Sequence, residues 1–349
     1  MSASNRQLVF TGPGEVAWQD GPAPEASDPS GAIVRPLAVA RCDLDVAMAA
    51  FGIFPGPFAV GHETVAEIVW AGEGVAQRRV GDRVVVPFQV SCGACAECRD
   101  GTFAACRTYR ARAGSAFGFG EAGGGHGGAV ADLLAVPAAD HLLVPAPEAV
   151  APEVLCTVPD NVLDAFRAVA PGLRARPGAD VLIVGGAAAS IGLYAVDAAV
   201  ALGAGSVRYV DTDADRCAAA AALGAQAVHH EGAWPRRFDR AAITVENTAD
   251  PDGLATTLRS TAPYGLCTCV AIHFAPEVAV PLLEMYTRGV TLHASRADSR
   301  RFLPEVLDLV AAGRLHPAAV PTAVVDWDRA DEAWLQPATK LVVTRSPQA

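Results

Sequence analysis

Four cysteines lie close together in one short segment of the sequence. They are Cys92, Cys95, Cys98 and Cys106, in the pattern C-x2-C-x2-C-x7-C. Four thiolates at this spacing complete a tetrahedral zinc ion and leave no open position, which is typical of a structural zinc site. Disulfides between such near neighbours would be strained and are uncommon in a reducing compartment. An iron–sulfur cluster is the alternative for the same four ligands. The segment therefore predicts a structural zinc ion.

A second set of potential ligands lies upstream and consists of Cys42, His62 and Glu63. A thiolate and an imidazole are good zinc ligands, and a catalytic zinc site combines three protein ligands with one open position. Glu63 is either an interchangeable ligand or a group that supports one. Taken alone, the spacing of Cys42 and His62 favours core packing of the cysteine over metal binding. These residues become informative only together with the rest of the chain.

The stretch from Val181 to Asp211 has the pattern of a dinucleotide-binding βαβ unit. Residues 181–184 are apolar and predict a buried strand, 185–192 form a turn of small residues, 191–202 predict a helix, and 207–210 predict a second strand. Backbone N–H groups at the helix N-terminus favour a pyrophosphate. The turn departs from GxGxxG, because Ala187 and Ala189 stand in place of its first two glycines. The alternative is an α/β protein with a glycine-rich turn and no cofactor.

The same unit supplies the candidate cofactor-binding residues. Asp211 would accept hydrogen bonds from the adenine ribose and repel a 2′-phosphate, which favours NAD over NADP. Arg216 would flank the adenine or the phosphates. The full candidate set is Gly185, Gly186, Ser190, Ile191, Gly192, Asp211 and Arg216.

The composition excludes several classes of protein. The chain has 349 residues, a net charge of −11 and 51% hydrophobic residues. This length suggests two domains with sizeable cores. The acidic balance argues against nucleic acid and anionic membranes as partners. No apolar run reaches membrane-spanning length, and the N-terminus lacks a secretory pattern, which predicts a cytoplasmic protein.

The order of apolar runs and turns predicts two kinds of architecture. Residues 1 to about 150 contain short apolar runs broken by Pro and Gly, as in a β-rich, barrel-like domain. Helix and strand patterns then alternate to residue 296, as in a parallel sheet. A helix at 302–312 and a final strand at 340–344 follow.

The whole chain resembles the zinc-dependent medium-chain dehydrogenase/reductase family, the alcohol dehydrogenase group. The matching features are Cys42, the Gly-His-Glu triplet 61–63, the Gly-Asp-Arg-Val segment 81–84, the four-cysteine lobe, the 181–211 unit and the segment 339–343. The resemblance implies an α/β fold class with a GroES-like β-rich catalytic domain (1–155 and 297–349, with a zinc lobe at about 90–110). It also implies a Rossmann domain with a doubly wound parallel sheet (156–296).

The resemblance also implies the third ligand of a catalytic zinc ion. Family members take it from a Cys or an Asp, and the segment 158–164 is similar to the version that carries Asp. Asp160 is therefore the predicted ligand beside Cys42 and His62, and Cys156 is the competitor. A helix N-cap is the alternative role for Asp160.

The implied reaction is hydride transfer between an alcohol and NAD, with zinc activating the alcohol or carbonyl oxygen. Relatives carry a Ser or Thr two residues after the ligand Cys as a proton relay, where this chain has Leu44. The relay must then use water, Glu63, Asp164 or the substrate itself. Asp164 stands where relatives commonly have Thr, which makes it a candidate acid or base. Asp45 matches the family's Asp that hydrogen-bonds the ligand His.

Two alternatives to a zinc alcohol dehydrogenase remain open. A quinone- or enone-type reductase of the same superfamily fits the lengthened, alanine-bearing turn, although such enzymes lack the cysteine lobe. A non-catalytic protein that binds zinc and a nucleotide is the other. The expected partner is a small alcohol or carbonyl compound. A homodimer or homotetramer is expected, with the apolar segment 266–272 as a possible contact.

Overall fold

The computed structural model describes residues 4–112 and 114–345. Sixteen β-strands occur in these ranges: β1 Ser4–Gly12, β2 Glu15–Pro22, β3 Ala32–Arg41, β4 Phe58–Ala59, β5 Glu63–Ala71, β6 Arg83–Val86, β7 Leu134–Val136, β8 Val144–Pro145, β9 Val181–Val184, β10 Val207–Asp211, β11 Gln226–His229, β12 Ala241–Glu246, β13 Thr261–Cys269, β14 Thr291–Ala294, β15 Thr322–Asp326 and β16 Lys340–Thr344.

The α-helices of the same ranges are mostly short. They are α1 Asp43–Phe51, α2 Ala96–Arg99, α3 Ala139–Leu142, α4 Pro152–Leu155, α5 Leu163–Ala175, α6 Ala189–Ala201, α7 Ala214–Ala222, α8 Pro251–Arg259, α9 Leu282–Arg288, α10 Leu303–Ala311 and α11 Ala330–Ala333. Four 3₁₀ turns lie at Phe103–Ala105, Gly120–Gly123, Pro317–Ala319 and Trp327–Arg329. A π-helical turn, Val158–Val162, leads into α5. None of these helices has the length and apolar character needed to cross a bilayer.

The chain folds into two compact units. Unit 1 contains residues 1–163, 298–312 and 322–349, and unit 2 contains residues 164–297 and 313–321. The predicted domains divided the chain at 155/156 and 296/297 and assigned 313–321 to the first domain. The structure assigns this segment to unit 2, because His316 Nδ1 lies 3.1 Å from Asp197 Oδ1 of α6 and Leu315 is buried.

Unit 1 is the β-rich unit. Its larger sheet has the order β15-β16-β3-β5-β6-β8, with β7 also paired to β3, and a smaller sheet has the order β2-β1-β4. Strand residues such as Leu8, Val34 and Ile68 are completely buried between the sheets. The apolar run 129–136 forms a regular strand only at Leu134–Val136, although Ala129 and Val130 still donate to the carbonyls of Gly61 and Val60.

Unit 2 contains a six-stranded parallel sheet in the order β11-β10-β9-β12-β13-β14. All four residues of β9 are completely buried, as expected of a central parallel strand with both faces covered. If these six strands are numbered 1 to 6 along the chain, their spatial order across the sheet is 3-2-1-4-5-6. This is the doubly wound order, in which dinucleotides bind at the carboxyl ends of the strands. The predicted strands at 181–184 and 207–210 and the helix between them are all present, with the helix at Ala189–Ala201.

Candidate active site

Cys42 and His62 are placed by the ends of adjacent strands in unit 1. Cys42 follows β3 and caps α1: its Sγ accepts from the backbone N–H of Leu44 at 3.5 Å, and its own N–H donates to Asp45 Oδ2 at 3.0 Å. His62 immediately precedes β5, and β3 and β5 are antiparallel neighbours. The reciprocal cap fixes Asp45, whose Oδ1 lies 3.5 Å from His62 Nδ1. Asp45 is thus positioned to orient the imidazole.

Asp160 lies in the middle of the π-helical turn Val158–Val162, and every residue of this turn is buried. Its Oδ2 lies 3.3 Å from His62 Nε2. The N-cap role that the sequence left open is therefore wrong, because Asp160 sits inside a helical turn and its carboxylate faces the histidine. π-Turns within helices are frequent at functional sites.

Cys42, His62, Glu63 and Asp160 each bring a ligand atom to one place, with all four atoms within 4.8 Å of one another. Two ligand atoms on one tetrahedral zinc ion are about 3.4 Å apart, close to the separation of His62 Nε2 and Asp160 Oδ2. A buried thiol, imidazole and carboxylate form a donor set that suits zinc. The competitor Cys156 is not part of this group of ligand atoms, and its Sγ donates to the carbonyl of Glu153 at 3.4 Å.

The electrostatics of this cluster favour a positive charge at its centre. Burial lowers the pKa of His62, but the carboxylates of Asp45 and Asp160 outweigh it and raise this pKa to about 9. Burial opposes ionisation of Asp160, yet the bond to His62 leaves the pKa of that carboxyl below its usual value. The residues present therefore fit a bound divalent cation.

Glu63 is held by a residue that the sequence did not single out. Lys340, the first residue of β16, donates from Nζ to Glu63 Oε1 at 2.8 Å and to Oε2 at 2.9 Å. Both side chains are completely buried. Burial raises the pKa of Glu63 to about 8 even though Lys340 lowers it. The sequence named Lys340 only as part of the segment 339–343 that resembles the family, without a role of its own.

Aromatic rings cover one side of His62. The ring of Phe88 has its centroid 5.4 Å from that of His62. Phe119, which the sequence did not indicate, stacks on the imidazole at 5.1 Å and 24°. Phe54 packs edge-on against Phe119 at 5.5 Å. These rings make an apolar boundary beside the ligand cluster.

The four cysteines of the lobe also converge, with their sulfur atoms within 4.8 Å of one another. Cys95 Sγ and Cys106 Sγ are 3.9 Å apart, and thiolates on one tetrahedral zinc ion are about 3.8 Å apart. Burial raises the pKa of Cys92, but hydrogen bonds from Thr108 Oγ1 and the N–H groups of Ala94 and Cys95 outweigh it and lower this pKa to about 6. These hydrogen bonds thus favour the thiolate form of Cys92, the form that binds metal.

Asp164, the predicted acid or base, begins unit 2 in the first turn of α5. Its Oδ1 accepts from Arg167 Nε at 2.7 Å, and Arg167 Nη1 donates to Ser295 Oγ at 2.8 Å. Both charged side chains are buried. Asp164 is therefore one partner of a buried ion pair, a relationship that the sequence did not predict.

The predicted phosphate-binding turn joins β9 to α6 in unit 2. A side chain on Gly185 would collide with the Asp211 carboxylate, and a Cβ on Gly186 would lie 2.6 Å from Thr248 Cα, so both positions require glycine. Helix α6 begins at Ala189 with no side-chain cap and no acidic residue in its first turn. Its first residues include the predicted Ser190, Ile191 and Gly192. This helix terminus has the polarity that favours an anion.

Asp211 ends β10 and is completely buried. Its Oδ1 accepts from the Asp213 N–H at 3.0 Å and from Arg216 Nη2 at 2.7 Å, and its Oδ2 accepts from Tyr209 OH at 2.5 Å and Arg216 Nε at 2.9 Å. A carboxylate has about four lone-pair sites, and four donors occupy them. The sequence predicted Asp211 and Arg216 as separate cofactor contacts; the structure joins them into one ion pair.

Asn247 was missed by the sequence analysis. It follows β12, and its carbonyl accepts from the Ala188 N–H of the turn at 3.0 Å. Its side chain is completely buried, and neither amide atom has a hydrogen-bond partner among the described residues. A Cβ on Gly192 would lie 3.7 Å from Asn247 Cγ. An unpartnered amide therefore lies beside the turn that would receive a pyrophosphate.

Known proteins match both parts of the chain. A family model described as the alcohol dehydrogenase GroES-like domain matches residues 28–148, and one described as zinc-binding dehydrogenase matches residues 190–312. A probable zinc-binding alcohol dehydrogenase of Mycobacterium tuberculosis is 31% identical over 335 residues, which are 94% of this chain and 84% of that protein. A glutathione-independent formaldehyde dehydrogenase of Pseudomonas aeruginosa is 35% identical over 235 residues, 64% of this chain and 58% of that enzyme.

A solved structure extends the comparison to the whole fold. The alcohol dehydrogenase of Thermus sp. ATN1 superposes with a TM-score of 0.87 at 27% identity, covering 98% of this chain and all of that one. The chain belongs to the zinc-dependent medium-chain dehydrogenase/reductase family. It is a zinc-binding, NAD(P)-dependent oxidoreductase of the alcohol dehydrogenase type, with a small molecule as its substrate. The predicted family and the predicted combination of a GroES-like with a Rossmann fold are confirmed.

Proposed function

We propose that this enzyme interconverts an alcohol and an aldehyde or ketone by hydride transfer to and from NAD. The observation that carries the proposal is the convergence of Cys42, His62 and Asp160, three buried donors of different chemistry, within 4.8 Å. Three protein ligands leave one position for the substrate oxygen. A zinc ion held there supplies Lewis acidity, which activates an alcohol or carbonyl oxygen.

The other residues of the cluster orient the ligands. Asp45 lies against His62 Nδ1 and leaves Nε2 directed to the metal position. Lys340 donates to both oxygens of Glu63 and so holds this side chain as a support for the cluster or as an interchangeable fourth ligand. The four-cysteine lobe holds the structural zinc ion.

The proton needs a route that does not use Leu44. Both oxygens of Glu63 accept from Lys340, so we propose that the proton leaves through water or Asp164 rather than through Glu63. The ion pair with Arg167 keeps Asp164 ionised, so that a proton acceptor is present, and it also lowers the proton affinity of this carboxylate. An Asp164→Asn variant tests this step: loss of a pH-dependent limb in kcat supports it, and an unchanged profile removes Asp164 from the relay.

The buried carboxylate of Asp211 supports NAD as the cofactor. We propose that the adenine ribose hydroxyls take the place of Arg216 on Asp211, while Arg216, whose side chain is 19% exposed, turns toward the adenine or the phosphates. A 2′-phosphate would meet the Asp211 charge and is disfavoured. The pyrophosphate lies over the turn 185–192, where Asn247 offers an unpartnered amide donor.

The rings of Phe88 and Phe119 favour substrates whose carbon chain or ring is apolar near the reacting carbon. The formaldehyde dehydrogenase relative suggests small aldehydes as a second group to test. Reduction of an enone or a quinone is the alternative chemistry. A substrate screen that includes enones and quinones beside alcohols and aldehydes tests it.

We also propose that two copies associate through unit 2. Strand β14 is an edge of the parallel sheet, and four large side chains that precede it in the chain are 68–83% exposed: Tyr264, Leu282, Leu283 and Tyr286. An open edge beside exposed apolar groups fits a second copy that continues the sheet. The segment 266–272, named from the sequence, is a poorer surface, because Cys267, Thr268, Val270 and Ala271 are buried. A Tyr286→Glu variant should sediment as a monomer if this face is the contact.

Metal analysis and a substrate screen test the main proposal together. We expect two zinc ions per chain and NADH formation with primary or secondary alcohols, much faster than NADPH formation. Cys42→Ser should retain one zinc ion and lose activity, whereas the matched control Cys156→Ser should retain both. Two zinc ions with no turnover of any alcohol, aldehyde or enone would contradict the proposal.

A further inference from the structure

A third group of ligand-type side chains lies in unit 2, apart from both zinc clusters. Glu246 is the last residue of β12 and Cys269 the last of β13, and the two are directly paired across these neighbouring parallel strands. His273 follows four residues after Cys269. Cys269 Sγ lies 3.0 Å and His273 Nε2 lies 3.2 Å from Glu246 Oε2. All three ligand atoms lie within 4.8 Å of one another.

The surroundings of Glu246 hold its carboxylate in a fixed orientation. Its Oε1 accepts from the N–H groups of Thr248 at 2.7 Å and Ala249 at 3.2 Å, and also from the Thr248 hydroxyl. Oε2 is thereby directed toward the thiol and the imidazole. Anchoring of one carboxylate oxygen by neighbouring donors is the arrangement that supports metal ligands in proteins.

The cluster is reachable from solvent while its carboxylate is buried. Glu246 is completely buried, the His273 side chain is 10% exposed, and Cys269 is partly buried. We propose that Glu246, Cys269 and His273 bind a third divalent cation of the zinc class. Sulfur, nitrogen and oxygen donors in one set suit Zn²⁺ or Co²⁺ better than Mg²⁺ or Ca²⁺, which require oxygen ligands.

Binding changes only protons and hydrogen bonds. The Cys269 thiol gives its proton to solvent as the sulfur–metal bond forms. His273 presents the Nε2 lone pair once the proton on Nε2 has been released, with Nδ1 keeping its own proton. Glu246 Oε2 loses its hydrogen bonds to Cys269 Sγ and His273 Nε2 and binds the cation in their place. No oxidation or reduction takes place.

The position of this site gives it a consequence for the cofactor. Glu246 immediately precedes Asn247, whose carbonyl accepts from Ala188 of the phosphate-binding turn. The site therefore lies at the carboxyl edge of the sheet, where a dinucleotide binds. A bound cation should compete with NAD and inhibit the enzyme; this consequence rests on the proposed function, whereas the metal site itself does not.

Cobalt titration of the zinc-loaded full chain tests the site. We expect Co²⁺ to bind one equivalent beyond the two zinc ions and to give a thiolate-to-cobalt charge-transfer absorption. Cys269→Ser should abolish this absorption, and His273→Asn should weaken the binding about tenfold or more. Cys267→Ser, a buried thiol two residues away on β13, is the matched control and should behave as the unsubstituted chain does.

The outcomes separate this site from the catalytic proposal. If the unsubstituted chain binds no third equivalent, or if the absorption persists in Cys269→Ser, the site does not exist. Unchanged zinc content in each variant shows that the fold and the other clusters are intact. An enzyme that turns over no alcohol but still shows the Cys269-dependent absorption would refute the proposed activity and support the site. Competition between Co²⁺ and NADH, measured by NADH fluorescence, then tests the inhibitory consequence.

Discussion

Lys340 Nζ lies 2.8 and 2.9 Å from the two carboxylate oxygens of Glu63, and neither side chain is exposed to solvent. The residues are 277 positions apart in the chain. The pair connects the first residue of β5, next to the predicted ligand His62, with the first residue of β16. A buried ion pair of this kind stabilises little relative to an apolar pair, but it is costly to break from one side.

Substitution of Lys340 by Met should destabilise the protein by about 1–3 kcal/mol, because the buried Glu63 loses the donor that bonds to both of its oxygens. The double variant Glu63→Gln with Lys340→Met should recover most of this loss. Urea unfolding curves of the single and double variants measure both quantities. Equal stabilities of the single variant and the unsubstituted protein would show that Glu63 has another partner of similar strength.

Asp160→Asn should lower the zinc content from two ions per chain to one and abolish turnover, because the carboxylate facing His62 Nε2 is lost. Cys156→Ser should keep both ions, since Cys156 Sγ bonds to the Glu153 carbonyl. Elemental analysis of the two purified variants makes the comparison. A lower zinc content in Cys156→Ser alone would reverse the ligand assignment.

Asn247→Leu should weaken NADH binding by about threefold to tenfold, because a hydrogen bond to the pyrophosphate or its bound water contributes about 1 kcal/mol. Asn247→Asp should weaken it further through repulsion of the phosphates. Titration with ADP-ribose and with adenosine, which lacks the pyrophosphate, locates the effect. If the variants lose as much affinity for adenosine as for ADP-ribose, Asn247 does not take part in phosphate binding.

His141 should make the protein less stable in mild acid. Burial, assisted by the nearby charge of Arg300, lowers the pKa of His141 to about 4. Below pH 6.5 the unfolded chain takes up a proton that the folded chain refuses, so stability is lost as the pH falls from 6.5 to 4. His141→Asn should reduce this loss by about 1–2 kcal/mol, after allowance for partial exposure of the ring. The free energies of unfolding at pH 7 and pH 4.5 provide the measurement. Equal losses of stability in the His141→Asn variant and the unsubstituted protein would contradict the prediction.

Local patterns were enough for much of the fold and for naming the cysteines of the zinc lobe as a group that would converge. The apolar run 181–184, the small-residue turn and the terminal Asp211 predicted strand, helix and strand, because period and turn chemistry are properties of neighbouring residues. The spacing of the four cysteines predicted their convergence for the same reason: a loop of fifteen residues can fold around one ion.

Relationships over long distances in the chain were decided by the tertiary structure. The sequence left Asp160 and Cys156 as competitors four residues apart, and the π-turn decided which one faces His62. The sequence named Asp211 and Arg216 as separate cofactor contacts. Only the structure shows that the two form an ion pair and that Arg216 supplies two of the four donors to the Asp211 carboxylate. A buried charged group requires a partner, and the tertiary structure determines which residue that partner is. Lys340 contacts Glu63, and Cys269 contacts Glu246, because of the order and register of the strands in the sheets, which the sequence pattern does not encode.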